Sequence, residues 1–109
     1  MGIIAKGEIR MNYEYITTFW QDFSIAEPFG KSAIRDTAKR AFEEWKDNVS
    51  YLTELVMVIN HKCWYWAGTN DSLSHLYSDL YYKYDDMAIA YLENNGSKED
   101  LTYYFKTLD

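Results

Sequence analysis

Between Lys31 and Ala67 the apolar positions Ile34, Ala38, Ala41, Trp45, Val49, Leu52, Val56, Ile59, Cys63 and Trp66 advance by threes and fours, uninterrupted by glycine or proline. That is the spacing of an amphipathic helix. Its one irregularity is the extra four-step Trp45–Val49–Leu52, which leaves two readings: one long helix, or two helices that break at Lys46-Asp47-Asn48 with Asn48 capping the second. Ordinary helix lengths favour the break and the unbroken period favours continuity; we adopt two helices. Leu55–Ile59 taken alone would pass for a strand, but the period on either side overrides it. Its apolar residues spread beyond a single stripe, so a central helix over about 49–67, touched on several sides, is expected.

Punctuation defines the other elements. Thr18-Phe19-Trp20-Gln21 and Ser24-Ile25-Ala26-Glu27 both fit a capping box, which places short helical turns between Thr18 and Phe29. Pro28 limits them and Gly30 supplies a stop. After a loop and cap at Gly68–Ser72, the residues Leu73, Leu76, Tyr77, Leu80, Tyr84, Met87, Ala88 and Tyr91 predict another amphipathic helix, ending at Asn94-Asn95-Gly96. Ser97 is expected to cap a last helix with Leu101, Tyr104, Phe105 and Leu108 on its inner face. The fold class is therefore all-α, a compact bundle of four or five helices with a short N-terminal helix. The first ten residues lack helical period, and Lys6-Gly7-Glu8 can be encoded by a purine-rich ribosome-binding sequence ahead of Met11. Residues 1–10 are expected to be a leader or flexible arm, and residues 11–109 a single helical domain.

Composition changes this picture at two points. A chain of 109 residues fits one domain, and 48% hydrophobic with 26% charged residues is ordinary for a globule. Aromatic content is the outlier, with 11 Tyr, 5 Phe and 4 Trp making 18% of the chain; tyrosine suits half-buried positions and interfaces. A net charge of −6 argues against a coat for nucleic acid or anionic lipid. The charge is uneven. Lys31, Arg35, Lys39 and Arg40 face only Asp36 in residues 31–40, whereas acids dominate from Asp47 onward. Cys63 is the single cysteine and implies no oxidising compartment. No signal-peptide pattern is visible in Met1–Met11, and no apolar run approaches a bilayer's thickness, so a cytoplasmic protein is expected.

Catalytic chemistry finds little support. Asp71, His75 and Asp79 share a helix face at i, i+4, i+8, but Asp71 doubles as a cap and no Glu-x-x-His pair repeats. His61 and Cys63, two positions apart, point opposite ways on a helix. Cys63 lies on the apolar stripe, and no glycine-rich loop resembles a phosphate cradle. No enzyme, metal or cofactor is expected. Two binding surfaces remain. Asp79, Tyr82, Asp86 and Glu93 run opposite the Leu73–Leu80–Met87 stripe, and with Asp85, Glu99 and Asp100 they offer carboxylates to a basic protein partner. The plainer account of these acids is that they keep a small domain in solution. Lys31, Arg35, Lys39 and Arg40 are the alternative nucleic-acid-binding residues, the first three forming an i, i+4, i+8 stripe that could meet phosphates. Trp64, off the core stripe, would form a self-association patch with Met57 if exposed, but the N-terminal helix with Phe19, Trp20 and Phe23 is expected to cover it.

Two resemblances bear on these surfaces. Ser24–Ser32 resembles the opening of the helix-turn-helix of bacterial repressors, with an Ile-Ala pair and an aromatic before a turn glycine. The likeness stops there: Lys31 and Asp36 stand where apolar residues belong, and Pro28 interrupts the first helix. The longer stretch FWQDFSIAEPFG…RDTAKRAFEEWKDNVSYLTEL, Phe19 to Leu55, resembles small uncharacterised helical proteins of gut bacteria, their phages and mobile elements. That likeness implies a pool of short inhibitors of host defence, anti-CRISPR proteins among them. The expected function is thus an acidic, mobile-element inhibitor that blocks a basic nucleic-acid-binding partner. A small DNA-binding accessory factor and an oligomeric structural protein are the alternatives.

Overall fold

A computed structural model describes residues 18–108. The suggested leader, residues 1–10, and the start at Met11 lie outside the described residues. Residues 18–26 form α1, and Pro28 then sits within a single 3-10 turn, Glu27–Phe29. Proline is tolerated at a helix start because its missing N–H would have no partner there. Gly30 follows with φ 106°, in the region that favours glycine, and its amide donates to the Glu27 carbonyl at 3.2 Å. This sharp corner sends the chain into α2, Lys31–Trp45.

The long periodic segment breaks where the four-step fell. Lys46 and Asp47 form a turn, and the Asn48 side chain accepts a hydrogen bond from the Tyr51 amide at 3.1 Å, opening α3, Val49–Trp66. Tyr91 donates its hydroxyl to Asp47, and Lys46 lies over the Tyr91 ring, so a later helix also clasps the break. After Gly68, at φ 85°, Asn70 caps α4, Asp71–Asn95, by accepting from the Leu73 amide. Ser97 and Asp100 then exchange hydrogen bonds, each side chain accepting from the other's amide at 3.1 Å. That reciprocal capping box starts α5, Lys98–Leu108. Among the described residues there are five α-helices and no strand.

α3 is the central helix, packed against α2, α4 and α5. Leu52, Leu55, Val56, Val58 and Ile59 are fully buried, and Thr53 and Glu54 are drawn in beside them. α2 contributes Ile34, Ala38 and Phe42, α4 contributes Leu76, Tyr77, Leu80, Tyr84, Ala88 and Leu92, and α1 inserts Phe19 and Phe23. The Phe23 ring meets Tyr77 edge-on at 5.6 Å, which seats α1 against α4.

Three expectations need correction. Ser24 does not open a capping box: it lies inside α1, donating to the Trp20 carbonyl at 2.9 Å and accepting from Lys62 Nζ at 2.7 Å. Phe105 is 46% exposed, because α5 turns only Tyr104 fully inward. Trp64 is not covered by α1. It stands 71% exposed, while Trp20 of α1 packs edge-on against its neighbour Tyr65 at 5.2 Å.

Candidate functional site

α4 is amphipathic over its whole length, and burial of Leu76, Tyr77, Leu80, Tyr84 and Ala88 fixes which side faces out. At 3.6 residues per turn, Asp79, Tyr82, Asp86 and Glu93 fall within an arc of about 60° on that outer side. All four are exposed, Tyr82 by 65%. The spacing of seven residues repeats from Asp79 to Asp86 to Glu93, about 10 Å along the axis each time. None of these three carboxylates holds a hydrogen bond or ion pair among the described residues. They are therefore free to meet a cation.

Asp85 is placed differently. It is half-buried and accepts the Tyr104 hydroxyl at 2.6 Å, tying α5 to α4. Glu99 is exposed at the α5 start, and Asp100 is occupied with the cap. The outer face thus consists of Asp79, Tyr82, Asp86 and Glu93, with His75 a turn ahead and Lys83 beside it.

The alternative surface on α2 keeps Lys31, Arg35, Lys39 and Arg40 exposed. Acids interleave with them. Asp36, Glu43 and Glu44 share a surface hollow with Lys39 and Arg40, so the field over this helix is mixed in sign. Among the described residues no cluster of three or more His, Cys, Asp or Glu is placed to hold a metal ion. Asp71, His75 and Asp79 are all exposed. No helix of the described residues is long and apolar enough to cross a membrane.

Two buried polar features escaped sequence reasoning. Lys62 is 1% exposed, yet its ammonium finds Glu27 Oε2 at 3.0 Å, Ser24 Oγ at 2.7 Å and the Trp20 ring at 4.0 Å from its centroid. The same Glu27 oxygen accepts from Tyr77 at 2.6 Å and from Trp66 Nε1 at 3.2 Å. The network joins α1, the 3-10 turn, α3 and α4, and its charges are balanced. The second feature is Glu54, 2% exposed, whose Oε1 has no hydrogen-bond partner among the described residues. Burial pushes its carboxyl up from 4.5 to about 7. Comparison of the chain with family models, with curated proteins and with solved structures finds no match.

Proposed function

We propose that this protein is a binding protein that presents the outer face of α4 to a basic partner protein. The reading extends to inhibition: the partner's cationic surface, once occupied, no longer holds nucleic acid, as in an anti-CRISPR protein of mobile-element origin. One observation carries it. Three exposed, unpaired carboxylates and an exposed tyrosine recur along one face of a 25-residue helix. A carboxylate with no internal partner can form a charge-assisted, bidentate pair with an arginine without first breaking a bond within the bundle, and tyrosine adds contact area that can be desolvated. Cationic nucleic-acid sites are complementary to such a surface, and binding there is expected to weaken with salt.

The test is co-expression with the CRISPR effectors of a gut-bacterial host, scored by survival of a targeted plasmid. Rescue by the natural chain, lost in the D79K/D86K/E93K variant while its helical circular dichroism is kept, is the expected result. Equal rescue by the variant would remove this face from the mechanism. Retarded DNA in a gel shift, relieved by salt and by K31E/R35E/K39E, would favour the DNA-binding alternative instead.

A further inference from the structure

The side of the molecule between α1 and α2 holds an open groove of about 520 Å³. Its floor is apolar: Phe19 and Ala26 are buried, and Trp45 is half-buried. Ile25 and Phe29 also line it, and they are 68% and 80% exposed. Both are large apolar side chains left in water, so the pair is surface that a partner can stabilise by covering. The polar lining is mostly acidic. Asp22 reaches in from α1 and Asp36 and Glu44 from α2, against the single cation Arg40. None of these three carboxylates makes a hydrogen bond or ion pair among the described residues. Burial raises the Asp22 carboxyl above its ordinary range, nearby Glu44 raises it further, and Arg40 pulls the other way.

We propose that this groove docks a segment of a partner protein that lays a large aliphatic side chain between Ile25 and Phe29 and sets a lysine or arginine against Asp22 and Glu44. The acid excess selects a cationic occupant and disfavours phosphate groups of nucleic acid or lipid. The apolar floor asks for more than a small hydrated cation, and the volume suits a few side chains. A second copy of this chain carries a net charge of −6 and is repelled at long range. The groove lies apart from the outer face of α4, so its test stands whether or not that face binds anything.

The isotope-labelled full chain is titrated with an amphipathic peptide bearing leucines on one face and lysines and arginines on the other, followed by amide chemical shifts. Shifts should concentrate in residues 22–29 and 36–45. F29A and D22N/E44Q should each weaken binding at least about tenfold, whereas T102A, at an exposed position of α5 outside both proposed surfaces, should change it less than about twofold. Ile25 and Phe29 are exposed, so F29A is expected to keep the native circular dichroism. Shifts confined to α4 would overturn the proposal, as would equal binding of a peptide with glutamine at its cationic positions or a Kd indifferent to F29A. A concentration-dependent dimer abolished by F29A would overturn it too, by assigning the groove to a second copy.

Discussion

Glu54 is held in the central helix with one carboxyl oxygen lacking any hydrogen-bond partner among the described residues, and that cost falls on its charged form. A carboxyl whose folded value is raised keeps its proton where the unfolded chain has already lost it. Folding therefore gains from it fully below its ordinary 4.5, and the gain is gone above about 7. Between about pH 5 and pH 8 the natural chain should lose about 2 kcal/mol relative to E54Q, whose side chain cannot ionise. Urea denaturation at the two ends of that range measures the difference; parallel profiles for the two chains would show that Glu54 is solvated. Lys62 is the opposite case, a buried charge with every donor engaged. Removing it strands Glu27 beside two hydrogen-bond donors but without a cation, so K62A should cost about 3 kcal/mol. The K62A/E27Q double variant should cost less than the two single changes added together. Neither residue was legible in sequence: Glu54 and Lys62 are charged residue types within α3, and the burial of Lys62 depends on Trp20, Ser24 and Glu27 arriving from a distant part of the chain.

Helix boundaries were the most legible feature, because each one is written locally. The irregular step at Trp45–Val49–Leu52 marks the break between α2 and α3, and Asn48 is the cap that the break requires. Ser97 likewise signals α5 through its own hydroxyl and Asp100 three residues on. Asn48 and Asn70 each satisfy one amide that would otherwise lack a partner at a helix start. N48A and N70A should each lower stability by about 1 kcal/mol, with N48G costing only a few tenths. In N48A, hydrogen exchange should quicken first in the opening turn of α3; protection unchanged there would mean that the Asp47–Tyr91 contact, not the cap, holds the junction. Failures at this scale share a cause. Ser24 satisfies the capping-box pattern, but Phe23 and Lys62 on other faces of the contact keep it mid-helix. Phe105 obeys the amphipathic period of α5, yet the helix is short and only the Tyr104 side meets α4. Helical period says which residues share a face, and not how much of that face a neighbour covers.

At the scale of the whole molecule, the tyrosine excess is spent on joining elements as much as on surface. Tyr77 of α4 donates to Glu27 of the 3-10 turn, fifty positions away, and Tyr104 of α5 donates to Asp85 of α4. Tyr91 of α4 donates to Asp47 at the α2–α3 junction, and Tyr103 of α5 meets Ser50 of α3 at 3.4 Å. Sequence reading treats this tyrosine and acid content as recognition surface because such partners are far apart in the chain. The face on α4 that remains available is correspondingly narrower, with Asp79, Tyr82, Asp86 and Glu93 outward and Asp85 turned to a structural tie. These ties make the bundle vulnerable to alkali in a specific way. Burial raises the Tyr77 and Tyr104 phenols well above their ordinary value of 10.0, and the carboxylate each one meets raises them further. In the unfolded chain both ionise near pH 10. Their contribution to folding is thus intact below that pH and falls above it, by about 1.4 kcal/mol per group for each further pH unit. The two buried phenols should ionise together in one cooperative step that coincides with loss of helix. In Y77F/Y104F that step should carry less phenolate absorbance and depend less steeply on pH, although the variant starts from lower stability through its lost hydrogen bonds. A single smooth titration of every tyrosine with the helices still intact would show that these hydroxyls reach solvent, and the account of them as internal ties would fail.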